Sequence, residues 1–170
     1  MKPLLHPITP ADIAHIHRGL SHPEVIRYYA VRFMTLEATQ EQMDWYATIE
    51  REGTGKWWAI RSTADDTFLG AIGINHIHPE HRRCELGYWL LPEHWGKGII
   101  SGAIGQVLHH AFHTLGLHRV VAEVETENPA SARVLLKNGF RHEGTLHECE
   151  RKDGRWISLD VYAKLAPGQP

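Results

Sequence analysis

Three glycines lie within seven positions of one another in the run LPEHWGKGIISGA, residues 91–103. Gly96, Gly98 and Gly102 would each lose much backbone freedom on folding, so the cluster needs a reason. The run follows a strand-like segment and opens a helix-like one. The free amides and positive dipole at a helix start bind phosphate readily. We therefore expect a phosphate-bearing ligand here; a tight turn that merely needs glycine is the plainer alternative.

Two other phosphate-binding patterns compete for this run. A P-loop requires GxxxxGK[ST], which this sequence does not contain. A dinucleotide fingerprint fits better, because GKGIIS (residues 96–101) is close to GxGxxA and Glu123 follows at about the expected distance. The chain after Gly98 is short for the rest of a doubly wound sheet, however. A dinucleotide-binding module stays open as an alternative.

The elements that position this run alternate in type without a regular βαβ order. We expect a mixed α+β single domain, residues 1–166, built on one sheet of six or seven strands with about four helices, and a loose tail at 167–170. The strands are expected at 2–8, 56–62, 68–77, 83–91, 118–126, 142–151 and 155–165, and the helices at 10–20, 36–52, 100–115 and 129–138.

Composition excludes several classes of function. The 170 residues carry a net charge of −2 and no basic stripe, which argues against a nucleic-acid binder. No apolar run approaches the ~20 residues of a membrane span, and the start of the sequence lacks the features of an export signal. Two cysteines, Cys84 and Cys149, have no zinc-like spacing and fit a reducing cytoplasm.

Several segments, in order along the chain, resemble the GNAT superfamily of acetyl-CoA-dependent N-acetyltransferases. EHWGKG (93–98) is similar to the family's [QR]xxGx[GA] motif, with Glu in the first position. CELGYWL (84–90) and EGTL (143–146) resemble the branch of ribosomal-protein N-terminal acetyltransferases. NPASARVLLKNGF (128–140) is similar to the family's NxxSxxxxxKxGF segment. The resemblance covers nearly the whole chain.

This resemblance implies the GNAT fold and acetyl-CoA as cosubstrate. The amides of residues 95–101 would wrap the pyrophosphate, and the strand end at 90–91 would carry the pantetheine arm and the oxyanion donor. The strand pair would splay after Leu91, with Pro92 ending the pairing. The implied cofactor-binding residues are Trp89, Leu90, Leu91, Trp95, Gly96, Lys97, Gly98, Ile99, Ile100, Ser101, Asn128 and Ser131.

The resemblance also suggests catalytic groups. Glu150 is the first candidate for the base that takes the amine's proton, acting through water; an ordinary cross-strand ion pair is the alternative. Glu85 is the second candidate, unless it only fixes the sheet. Ser131 resembles a family serine proposed to protonate the departing thiolate. Many GNAT enzymes carry a tyrosine acid later in this helix, where this sequence has Leu135.

The acceptor is the least determined part. The resemblance favours the N-terminal amine of a protein, of the ribosomal-protein type, bound in a groove to which a homodimer interface could add a wall. A small amine such as a polyamine, an amino acid or an antibiotic is the alternative, as is a non-catalytic acyl-CoA-binding module. Residues 22–33 and 75–81 are expected to shape the pocket. Carboxylates for a polyamine could come from Glu24, Glu80, Glu85 and Glu150.

The sequence contains 14 histidines. His76, His78 and His81 cluster, and His109 and His113 lie one helical turn apart. The second pair lacks the glutamate of an HExxH zinc motif. We expect solvated side chains here and no metal site.

Overall fold

The computed structural model describes residues 3–168, and within them the chain forms seven strands and five α-helices. The strands are β1 (Leu4–Pro7), β2 (Lys56–Arg61), β3 (Phe68–His78), β4 (Arg83–Leu90), β5 (Arg119–Glu125), β6 (Arg141–Lys152) and β7 (Arg155–Leu165). The helices are α1 (Ile13–Leu20), α2 (Pro23–Ile26), α3 (Leu36–Glu52), α4 (Ile99–His109) and α5 (Pro129–Lys137).

All seven strands belong to one sheet in the order β1-β2-β3-β4-β5-β7-β6. Every neighbouring pair is antiparallel except β4 and β5, which run parallel. This mixed sheet confirms the expected α+β GNAT fold and overturns the dinucleotide alternative, which needs a doubly wound parallel sheet. Residue 2 of the predicted first strand and residues 169–170 of the predicted tail lie outside the described residues.

Two hydrophobic layers cover the two faces of the sheet, as strand alternation requires. On β4, Cys84, Leu86 and Leu90 join a buried cluster with α4 and α5. Trp89, which points the other way, joins a cluster with α1 and α3. The sheet is therefore the middle layer, and the site at its centre is supported from both sides.

Local sequence signals explain where the longest helix begins and ends. The Thr35 hydroxyl accepts a hydrogen bond from the Ala38 amide at 3.0 Å, and Gly53 ends α3 in the left-handed conformation at φ 68°. The expected range of this helix, 36–52, is confirmed.

Two helical features differ from expectation. The four-residue α2 was not predicted, because one turn carries no periodicity; its signal is Pro23 at the first position, after His22, whose ring accepts a hydrogen bond from the Glu24 amide at 3.3 Å. The helix expected over 100–115 is α4 followed by a π-helical turn, His110–Thr114, which widens the last part.

Candidate functional site

A slot opens in the middle of the sheet where β4 and β5 separate. The two strands pair only from Arg83 with Arg119 to Glu85 with Val121. Beyond that point β4 stays bound to β3 and β5 stays bound to β7, so the sheet divides without either strand fraying. The expected split after Leu91 is therefore wrong: it begins five residues earlier, and Pro92 lies too far along to cause it.

The cavity in and around this slot has a volume of about 610 Å³. It is lined by β4 residues 86–90, β5 residues 122–125, the glycine loop (residues 94–98), the start of α4 and one side of α5. Eleven of the twelve expected cofactor-binding residues line this cavity, and Leu91 is the exception. Leu91 is fully buried, and its amide donates to the Leu69 carbonyl at 2.9 Å, so it is unavailable as an oxyanion donor.

The glycine loop is shaped for close approach by a ligand. Gly96 and Gly98 have φ values of 71° and 73°, a region that other residues rarely adopt. A Cβ added at either position would meet no protein atom within 4 Å, so the space beside them is open. Gly98 precedes α4 with no side-chain cap, which leaves the first-turn amides of α4 directed at the cavity. A loop of this kind fits a phosphate group.

Gly102 does not belong with Gly96 and Gly98, so the expectation that all three glycines serve the ligand is wrong for this one. A Cβ there would lie 2.8 Å from the ring of Pro3, because the start of the chain packs on α4 at this point. Gly102 is therefore required for internal packing and not for the ligand.

Side chains around the loop hold its shape. The Trp95 indole donates to the Leu90 carbonyl at 2.9 Å, and the Lys97 ammonium donates to the Glu93 carbonyl at 2.7 Å. The Glu93 carboxylate bonds to Arg18 of α1 at 2.6 Å. The glutamate that departs from the family motif is thus used to anchor the loop to the first helix.

The first turn of α5 brings a second polar group to the slot. Asn128 caps the helix by accepting a hydrogen bond from the Ser131 amide at 3.2 Å. The Ser131 hydroxyl lies 2.7 Å from the hydroxyl of Tyr88 on β4. Burial raises the pKa of Tyr88 to about 12, so this phenol is protonated at neutral pH. Tyr88 was not singled out in the sequence, although it belongs to the GYWL run.

Two carboxylates act on a third beside the slot. The pKa of Glu123 on β5 is raised by partial burial and then by the negative charges of Glu85 and Glu150, against a smaller opposite effect of His76. Glu85 bonds to the His76 ring at 2.8 Å. Glu150 is exposed on β6 and does not line the cavity. The sequence points to Glu123 only as the acidic residue of a dinucleotide fingerprint. The signal for its place in this site is a carboxylate that alternates with buried Ala122 and Val124 along β5.

A second cavity, of about 580 Å³, adjoins the site on the other side of Glu123. Glu123 lines both cavities. Apolar Ile77, Val121 and Val161 line the second one together with a larger polar set, which comprises Thr54, His76, His78, Arg83, Cys84, Glu85 and Arg119 besides Glu123. Part of the segment 75–81 is therefore at this cavity, and part of the segment 22–33 lines the first one, through Glu24, Val25, Arg27, Tyr28 and Tyr29.

The β6–β7 hairpin closes one end of the site by contacting the segment after α2. The Lys152 ammonium donates at 2.6 Å both to the Arg27 carbonyl and to the Glu125 carboxylate. Arg32 pairs with Asp153 in the hairpin turn at 2.7 Å. Arg155, a possible partner of Glu150, pairs instead with Glu127 at 3.2 Å.

The histidines are dispersed around the fold. His109 and His113 lie with ring centroids 4.7 Å apart, and His78 and His81 lie 5.7 Å apart. Among residues 3–168, no group of three or more His, Cys, Asp or Glu side chains is arranged to hold a metal ion. In the same residues, no helix combines the length and apolar character that a bilayer crossing requires.

Comparison with known proteins agrees with this geometry. Residues 3–141 match the model of the acetyltransferase (GNAT) domain. The uncharacterized N-acetyltransferase YoaA of Bacillus subtilis is 36% identical over 96% of this chain and 93% of its own. The ribosomal-protein-serine acetyltransferase of Escherichia coli is 32% identical over 78% of this chain and 73% of its own.

A solved structure shares the fold at lower identity. The spermidine N-acetyltransferase from Vibrio cholerae, in complex with CoA and spermine, is 23% identical and has a TM-score of 0.86 over 96% of this chain and 95% of that one. With the family model covering most of the sequence, the chain belongs to the GNAT family of acetyl-CoA-dependent N-acetyltransferases.

Proposed function

We propose that the protein acetylates the N-terminal amine of a protein or peptide, of the ribosomal-protein type. Acetyl-CoA supplies the acetyl group as a thioester and accepts the electron pair of the broken C–S bond. The glycine loop fits the pyrophosphate of this cosubstrate, because Gly96 and Gly98 leave open space where side chains would stand. The separated edge of β4 at residues 86–90 offers backbone groups to its pantetheine arm.

One observation carries the proposed acceptor: Glu123 lines both the slot and the second cavity. An amine placed beside Glu123 can face the slot, while the rest of its molecule occupies the second cavity. The apolar side chains of Ile77, Val121 and Val161 line that cavity. They suit the first side chains of a peptide, whereas Arg83 and Arg119 in the same lining would repel the further ammonium groups of a polyamine. The similarity to the ribosomal-protein-serine acetyltransferase supports the same class.

In the proposed mechanism Glu150 takes the amine's proton through water, and Ser131 gives a proton to the departing sulfur. Glu150 needs the water because it does not line the cavity itself. Glu85 remains the second candidate from the sequence, and Glu123 joins it because it lines the slot and its pKa is raised by burial and by neighbouring negative charges. With Leu91 excluded, backbone donors for the oxyanion are sought at Leu90 and earlier along β4.

A small polyamine is the second candidate acceptor. The observation that favours it is the effect of Glu85 and Glu150 on the pKa of Glu123, since several carboxylates close together can hold more than one ammonium group. Of the other carboxylates considered in the sequence, Glu24 lines the first cavity. The fold likeness to the spermidine enzyme does not choose between the two acceptors.

The test is a thiol-release assay at fixed acetyl-CoA against a panel of N-terminal peptides, polyamines and amino acids. We expect peptides with small first residues to turn over, with kcat/KM well above that of spermidine. Efficient acetylation of spermidine, with every peptide unreactive, would overturn the protein-acceptor proposal and support the second candidate. Mass spectrometry of the product separates N-terminal from lysine acetylation.

Two further inferences concern the setting of the protein. Cys84 and Cys149 are both free thiols, which supports a reducing cytoplasm. A homodimer would use β6, the strand of the hairpin that forms one edge of the sheet and carries exposed Leu146. Light scattering during gel filtration tests the dimer, and a single species at 19.4 kDa would contradict it.

A further inference from the structure

We propose that Tyr88 is a positioning residue that acts through Ser131, supplying the hydrogen bond and the replacement proton that let this serine serve the departing sulfur. The inference rests on the proposed function of Ser131. It assigns a role to the phenol on β4, to which neither the sequence nor the comparisons give one.

The direction of the hydrogen bond between Tyr88 and Ser131 decides what the serine can do. The two hydroxyl oxygens are 2.7 Å apart, and either one could be the donor. Burial raises the pKa of Tyr88 to about 12, so its phenol keeps its hydrogen at neutral pH. When Tyr88 donates to Ser131, the serine's own hydrogen is left to point elsewhere, and the space beside it is the slot.

Both partners of this hydrogen bond, Tyr88 and Ser131, are held by rigid elements. The Ser131 amide is fixed by the Asn128 cap at the start of α5. Tyr88 is on a strand that remains paired to β3, where it lies opposite Ile72. Its ring packs against the buried cluster of α4 and α5. The two hydroxyls therefore meet across the slot from two rigid elements, which suits a site that must hold its geometry.

Each proton given up in this relay is replaced. Ser131 gives its hydroxyl proton to sulfur as the C–S bond breaks with its electron pair on sulfur. Tyr88 returns a proton to the Ser131 oxygen in the same movement, and solvent returns one to Tyr88. Without the phenol, Ser131 would be left as an alkoxide in a partly buried place, which is costly. Leu135, buried further along α5, brings no donor that could replace Tyr88.

One test needs no acceptor: the thiol of bound CoA is titrated, and the absorbance of the thiolate measures its ionisation. A hydrogen bond to the thiolate lowers its pKa, so we expect Tyr88→Phe and Ser131→Ala each to raise the bound thiol's pKa by about half a unit or more. The double variant should show no further rise. Tyr162→Phe removes a phenol from the same core outside the cavity and should match the unaltered protein.

A normal thiol pKa in Tyr88→Phe together with a raised one in Ser131→Ala would overturn the relay. Normal values in both variants would overturn the role of Ser131 as well. If no amine of the panel is acetylated by the unaltered protein, the proposed function fails, and the titration still decides the relay.

With an amine that turns over, Tyr88→Phe should lower kcat by about tenfold or more and leave the KM for acetyl-CoA within about twofold. Because the two residues act as a unit, its combination with Ser131→Ala should cost little more than either change alone. Independent, multiplying losses would mean a separate structural role for Tyr88 and would overturn the inference.

Discussion

Glu85 lies opposite Val121 at the last position where β4 and β5 are paired. Every residue of these two strands that lines the first cavity comes after this pair. On one side, β4 keeps its partner β3 as far as Leu90, and on the other, β5 keeps its partner β7 as far as Glu125. The slot is therefore bounded by two strands that each remain fully supported, and its free backbone edges are held in place for a ligand.

Replacement of Gly98 by alanine should weaken CoA binding. At φ 73° an alanine is strained by about 1 kcal/mol, and its Cβ would enter the space left for the phosphate. We expect the Kd for CoA to rise about tenfold or more, which corresponds to at least about 1.4 kcal/mol. Calorimetry measures it.

The matched control for that variant is Gly53→Ala. Gly53 has φ 68°, nothing within 4 Å of an added Cβ, and a place at the end of α3 away from the cavity. It should lose similar stability and bind CoA normally. Equal loss of affinity in both variants would show that strain alone is responsible.

Glu150→Gln should lower the plateau of kcat at neutral pH and leave CoA affinity nearly intact, because a lost proton acceptor acts on the transition state. A pH profile separates this result from a role of Glu123 as the base. If Glu123 is the base, loss of the Glu150 charge lowers its pKa, so the acid limb moves to lower pH while the plateau stays. That second pattern would move the base from Glu150 to Glu123.

The pKa of Glu123 should fall when a neighbouring negative charge is removed. Burial and the charges of Glu85 and Glu150 raise it, so Glu85→Gln makes ionisation of Glu123 easier. Carboxyl ¹³C NMR over a pH titration measures the shift. Glu24→Gln, on another wall of the first cavity, is the control and should leave Glu123 unchanged. An unchanged pKa in Glu85→Gln would mean that the carboxylates do not act on one another.

Lys152→Gln should raise the KM for the acceptor and leave the KM for acetyl-CoA nearly unchanged. The ammonium joins the β6–β7 hairpin to the Arg27 carbonyl and to Glu125, at the end of the site away from the glycine loop. Lys56→Gln, which loses a surface pair with Glu50, is the control. Steady-state kinetics with each substrate varied gives both constants, and a selective effect on acetyl-CoA would contradict this placement of the acceptor.

Asp12→Ala should destabilise the protein by about 3 kcal/mol, because it leaves the charge of Arg61 without its buried partner. The Asp12 carboxylate is buried, bonds to Arg61 at 2.6 Å, and also accepts from the Thr9 amide at 2.8 Å. Asp66, the exposed second partner of Arg61 at 3.5 Å, is the control, and its loss should cost at most about 1 kcal/mol. Denaturant unfolding compares the two, and similar losses would contradict the argument.

The sequence by itself determined most of the elements and the position of the glycine loop of this protein. Helix α3 follows from its cap at Thr35 and its stop at Gly53, and the junction at Gly96 and Gly98 follows from backbone conformations that depend on nearest neighbours. Such signals are local, so they can be recognised without knowledge of the fold.

Only the tertiary structure decided which residues meet across the slot. Tyr88 and Ser131 are 43 positions apart, and the effect of Glu85 and Glu150 on Glu123 joins three strands. The start of the split, at Glu85 and Val121, depends on where two strands cease to run side by side. Gly102 is close to the loop along the sequence, but Pro3, which packs against it, is the reason for a glycine there. These relationships depend on long-range packing, which the spacing of residues along the chain does not encode.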